Sequence, residues 1–461
     1  MGDFAVLTTE LLSRLQFATT ISFHILFPAF SIGLVTFLAI IEGLWLATAN
    51  PLYLSICKFW TKIFALTFGM GVVSGIVMEF QLGTNWAGYT KMVGPVLGPL
   101  FTYEVLTAFF IEAGFLGVMI FGWNRVSPRL HYVSTLLVVL GVTLSAFWID
   151  SANSWMHTPS GAHLEAGVFV VDSWYDVIFN PSVLTRFTHM MLAAYLCTAF
   201  AIAAIAAHYL LNNRHLPFAK TCFSFALLAI TILIPAQIYM GDKSGLVVLK
   251  YQPMKTAAME GNWETQKGAP LLLFALPDQE KAMNRFEIGL PKLASLINTH
   301  DWDGEIPGLK SVPPENRPRV AIVFWTFRIM VGLGFLMLFI AGLHLALRAR
   351  GRLYDTRWFL KLCRALAPIG FIAMLTGWFT TEVGRQPWVV YGLLRTADAV
   401  SAVPLRNVII SLILIILVYG IIFGVFYFLY LFKTISAGPI DQANVHPQPF
   451  GYMEPPQVEQ Q

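Results

Sequence analysis

Apolar runs of about twenty residues recur along this chain, the length an α-helix rising ~1.5 Å per residue needs to cross a ~30 Å hydrocarbon layer. About nine such runs lie near 15–46, 58–80, 98–122, 129–150, 186–211, 218–240, 320–347, 362–381 and 405–432. The pattern predicts an all-α, polytopic membrane protein with spans one to six in 1–240 and spans seven to nine in 320–433. Between these blocks, 241–319 is the one long polar stretch, rich in charged residues, Pro and Gly. Its segment LKYQPMKTAAMEGNWETQKG carries enough Trp, Met and Ala to predict ordered structure. Residues 434–461 lack apolar periodicity and are expected to form a disordered cytoplasmic tail.

Composition supports a lipid solvent. Only 12% of the 461 residues are charged, half the share of a soluble domain. The first apolar run is too long for a signal-peptide core and lacks a basic flank and cleavage site, so the first span is expected to be retained. Cys57, Cys197, Cys222 and Cys363 show no ligand spacing and read as packing residues. The net charge of +4 comes mostly from connecting loops and is a topology signal, with membrane lipid and not nucleic acid as the partner. Lys58 and Lys62, Arg125 and Arg129, Arg214 and Lys220, and the Arg348–Arg364 cluster fall on one side. Asp150, Glu165, Asp172 and Asp176 lie in the alternate loops. The positive-inside rule then gives N-out, C-in, with 241–319 outside.

Ionisable and polar groups within hydrocarbon cost several kcal/mol unless they meet a partner, water or a cofactor, so each is a functional candidate. On the predicted topology His24, His189, Met330 and Glu382 share the outer half of the membrane. Imidazole, thioether and carboxylate suit iron, and a His/Met pair is one way to hold a low-spin haem. The competing readings are interhelical hydrogen bonds for the histidines, packing for Met330 and headgroup water for Glu382. His208, His215 and His344 read as interfacial. Glu104 and Glu112 are eight residues apart in span three, ~12 Å along the axis and within roughly 80° of one another. Carboxyls stacked at mid-membrane suit a proton relay, with structural hydrogen bonding as the alternative. A secondary transporter or proton channel fits the mid-span glutamates and histidines alone.

Longer blocks sharpen this. RLQFATTISFHILFP, MEFQLGTNW, WIDSANSWM, FRIMVGLGF and above all GWFTTEVGRQPW resemble subunit I of the cytochrome bd-type quinol oxidases, over about Arg14 to Lys433. The resemblance implies His189 and Met330 as axial ligands of a low-spin haem b, and His24 and Glu382 as ligands of a pair of high-spin haems. The cofactors so implied are two b-type haems, one low-spin and one high-spin, plus haem d or a third b-type haem; which of His24 and Glu382 serves the oxygen-binding haem stays open. Arg385 and Trp388 are implied as haem contacts. Arg328 resembles a haem-side arginine, although its helix phase differs from that of Met330 by about 200°. Glu104, Glu112 and Ser145 match a proton path. The outer stretch matches a quinol-binding loop in which Lys255 and Glu260 serve quinol oxidation; their spacing sets them about 140° apart on a helix. Only about thirty residues separate FEIGLP from PRVAIVFW, as in the short-loop subgroup, some members of which are cyanide-insensitive. The resemblance further implies quinol and O2 as substrates, a subunit II, one or more small single-span subunits, and a bacterial cytoplasmic (inner) membrane. Quinol would be oxidised outside and oxygen reduced to water with cytosolic protons, generating a proton motive force without pumping.

Overall fold

The computed structural model describes residues 8–439. Nine helical segments among them are long and apolar enough to cross a membrane: Thr9–Thr48, Pro51–Thr84, Ala87–Phe121, Pro128–His157, Trp174–Leu211, Leu216–Tyr251, Pro314–Ala349, Arg357–Val383 and Leu405–Ala437. They are spans one to nine below. Each outruns the apolar run that announced it, because helices continue into polar end turns that hydropathy leaves out. Span six thus reaches Tyr251 beyond 240, and span nine reaches Ala437 beyond 433; the tail from 440 lies outside the described residues.

Short connections are fixed by caps. Asn50 accepts from the Leu52 amide at 2.9 Å with Pro51 in the first helical turn, and Ser127 accepts from Leu130 at 3.3 Å ahead of Pro128. Both arrangements satisfy amides that a helix start leaves free. Span one breaks at Ile25, dividing Thr9–His24 from Leu26–Thr48. Pro28 accounts for the break: it has no N–H for the His24 carbonyl, and its ring crowds that carbonyl.

The bundle closes around span five, where 67% of the most apolar window is buried, against 11% for span nine. Glycines let its neighbours approach. A Cβ at Gly33 of span one would lie 2.2 Å from Thr198 Oγ1, and one at Gly370 of span eight 2.5 Å from Cys197 Cα. Small residues at helix crossings are how membrane helices gain contact without a hydrophobic driving force. All four cysteines are buried and free. His344, expected at the interface, is instead buried and bonded to Thr231 at 2.9 Å. At the other end from the long loop, the Tyr209 hydroxyl donates to the Ile435 carbonyl at 2.6 Å, tying spans five and nine.

The long loop is folded. A buried helix, Pro253–Glu260, precedes a hairpin of Leu271–Asp278 and Met283–Leu290 and a helix, Leu293–Thr299. Trp263 Nε1 donates to Asn284 Oδ1 at 2.8 Å, joining the segment after the first helix to the hairpin.

Candidate functional site

Three of the proposed ligands face a glycine on the neighbouring span. His24, at the break in span one, has Nδ1 2.9 Å from Ser74 Oγ, and a Cβ at Gly75 would stand 3.2 Å from its Cε1. His189 of span five lies against Gly241 of span six, where a Cβ would come within 3.4 Å of Cε1. Met330 of span seven lies against Gly377 of span eight, where a Cβ would reach 2.8 Å from the sulfur. Next to His189, Gln237 Nε2 is 3.3 Å from Nε2, while the buried Nδ1 has no partner. A buried ring nitrogen without a partner costs about 1–3 kcal/mol, which favours a ligand at His189 over packing alone.

The fourth candidate is embedded in a charge network at the loop end of the bundle. Glu382 pairs with Arg385, accepts from Asn153 at 3.0 Å and lies 3.1 Å from His157 Nε2. Arg186 bonds Asn153 and donates to Ser154 at 3.0 Å. On the other side of His157, Lys255 Nζ lies 3.1 Å from Nδ1 and donates to Gln252 Oε1 at 2.6 Å. Lys255 of the loop is thus two contacts from Glu382 of span eight. Burial, reinforced by Arg186 and Arg385 and opposed by Glu382, holds the Lys255 ammonium well below the usual lysine range. Glu260 turns elsewhere: it accepts from Arg328 at 2.8 Å and Asn298 at 3.0 Å. Arg328 also donates to the Leu272 carbonyl at 2.6 Å. Met330, two residues on, meets Gly377, so these two side chains serve different surroundings, as their phase predicts. Arg385 donates to the Val389 carbonyl at 2.5 Å and keeps a buried Nε without a partner. Trp388, in a short strand, is covered by the Arg395 guanidinium at 4.8 Å.

In span three the two glutamates flank a π turn, Val105–Phe109. Such a turn acts as one inserted residue, so the phase between Glu104 and Glu112 becomes that of about seven α-helical residues, near 20° rather than 80°. The pair is therefore better aligned than regular spacing predicts. Ser145 of span four donates to Glu104 at 2.7 Å. Glu112 is buried against span four at Gly141, where a Cβ would lie 2.6 Å from its Cγ, and it has no hydrogen-bond partner among the described residues.

The family model for cytochrome bd terminal oxidase subunit I matches residues 12–439. The chain belongs to this family. It is 35% identical to cytochrome bd-II ubiquinol oxidase subunit 1 of Escherichia coli K12, covering 88% of this chain and 93% of that one. It is 37% identical to cytochrome bd ubiquinol oxidase subunit 1 of Bacillus subtilis 168, covering 93% of each. Among solved structures, the bd oxidase from Geobacillus thermodenitrificans superposes with a TM-score of 0.87 at 28% identity, over 94% of this chain and 99% of that one.

Membership makes this a subunit of a quinol oxidase and implies haem. The residues present fit such a group: the donor set is one that iron accepts, His189 Nδ1 is unpartnered, and glycines face three of the four donors. Sequence reasoning missed Asn153, His157, Arg186 and Gln252. The first two lie in WIDSANSWMH, beyond the apolar edge at 150, so they read as loop although the helix carries them to His157. Their four-residue spacing, one helical turn, was the available signal.

Proposed function

We propose that this chain is the haem-bearing subunit of a terminal oxidase that oxidises quinol at its outer loop and reduces oxygen to water with cytosolic protons. His189 and Met330 would hold a low-spin haem b, and His24 and Glu382 the high-spin pair, one b-type and the other haem d or a third b-type haem. When bound, haem supplies the electron transfer and oxygen reduction. The chain's own residues position and supply protons. Lys255, reaching His157, places the loop beside Glu382; Glu260, held by Arg328, fixes the far end of the same loop helix. Glu112 and Glu104, the latter oriented by Ser145, carry protons through span three. Arg385 fixes the Glu382 carboxylate and, with Trp388, would contact haem, while Arg328 anchors the loop through Glu260 and the Leu272 carbonyl.

The orientation is N-out, C-in, so protons released from quinol leave outside and those consumed come from inside. Charge separation then needs no pump. The complex sits in a bacterial cytoplasmic membrane with a subunit II and small single-span subunits, for which the exposed apolar faces of spans three and nine are suited.

The observation carrying this reading is the set of half-buried ligand-type side chains, three of the four opposed by glycines, which a proton channel does not require. The purified complex should consume oxygen with quinol. His189→Ala or Met330→Leu should abolish the low-spin signal and retain the high-spin ones; unchanged spectra in both would overturn the ligand assignment.

A further inference from the structure

At the end of the bundle opposite Glu382, spans one and four enclose another polar cluster that belongs to none of the sites above. Glu42 and His131 are each 1% exposed, and Thr135 is fully buried. His131 Nδ1 lies 2.6 Å from Glu42 Oε1, its Nε2 lies 3.0 Å from the Met119 carbonyl, and Thr135 donates to Glu42 Oε2 at 2.7 Å. The Trp123 ring packs on His131, with centroids 3.9 Å apart.

This geometry requires a shared proton. A carbonyl only accepts, so Nε2 must carry hydrogen toward Met119. At 2.6 Å the Nδ1 to Oε1 contact is then a hydrogen bond only if one proton lies between imidazole and carboxylate; without it two lone pairs would face each other. Among the described residues no lysine or arginine pairs with Glu42, and the buried Cys57 thiol lies near it. Interhelical attachment alone would be met by neutral groups at lower desolvation cost.

Position supplies the second argument. On span four, His131, Thr135 and Ser145 fall within about 80° of one face, and Gly141, against which Glu112 packs, borders that face. From Thr135 to Gly141 the helix rises ~9 Å, with the fully buried Val138 between them on the same face, so a proton passing from Glu42 to Glu112 would cross that stretch by way of bridging water. We infer that Glu42, His131 and Thr135 form a proton-holding station on the inner side that feeds Glu112. The proton it passes on is replaced from cytosolic water, leaving the cluster unchanged.

This inference rests on the reading that Glu112 and Glu104 carry protons, and one experiment separates the two. Proton uptake from the inner aqueous phase is followed during a single turnover with oxygen, using the whole complex in liposomes. Glu42→Gln should slow uptake about ten-fold or more while the reduced-minus-oxidised haem spectrum stays intact. Wild-type uptake in that variant overturns the station. Should it not assemble, Thr135→Val decides in its place: slowed uptake supports the station and unaltered uptake overturns it. Glu112→Gln in the same assay tests the underlying path: if it takes up protons normally, the path itself fails. If it is slow while Glu42→Gln is normal, only the station does.

Discussion

Glu382 and Glu112 are both carboxylates inside the same bundle, and their neighbours treat them in opposite ways. Glu382 is held by Arg385, His157 and Asn153, contributed by span four and the turn after span eight, with Lys255 behind His157. Glu112 packs against a glycine and has no hydrogen-bond partner among the described residues. A carboxylate fixed by several charged partners is suited to hold a position. One without a fixed cation can gain and lose a proton without breaking an ion pair. On the function proposed above, the contrast divides the charge inside this bundle into a part that positions and a part that carries protons.

The strongest challenge to that division is Glu382→Ala. It would leave Arg385 and His157 without their anion, a loss of about 3–5 kcal/mol for a buried pair, and haem content and thermal stability should both fall. Retention of both would show the network to be dispensable. Glu112→Gln should behave in the opposite way, with stability changed by less than about 1 kcal/mol and the haem spectrum retained, but with turnover reduced on the order of a hundred-fold. Normal turnover would make Glu112 structural. Gly141→Ala forces a methyl to within 2.6 Å of Glu112 Cγ; overpacking of about 1–3 kcal/mol should appear in unfolding, with slower proton uptake as the carboxyl shifts. Ser145→Ala is the mildest change, removing a single hydrogen bond to Glu104 worth about 1 kcal/mol, and should slow oxygen consumption only several-fold.

The spans were legible because a lipid solvent demands long apolar helices, a requirement strong enough to survive in composition alone. Span ends were not: Asn153 and His157 sit on a helix that hydropathy truncates, and Lys255 meets His157 only through the fold. The local period predicts the phase of Arg328 against Met330 and of Lys255 against Glu260, and both pairs do diverge to separate partners. It misjudges Glu104 and Glu112, because nothing in YEVLTAFFIEAGF signals the π turn that brings them into line. Glu42 and His131 stand 89 residues apart, and neither has a motif around it; only the packing of spans one and four reveals them as a pair.

The central claim is that His24, His189, Met330 and Glu382 hold haem. A reduced-minus-oxidised optical spectrum of the purified complex, with pyridine haemochrome analysis, tests it most directly. The account predicts b-type bands with both low-spin and high-spin components. A colourless protein after mild extraction would contradict it.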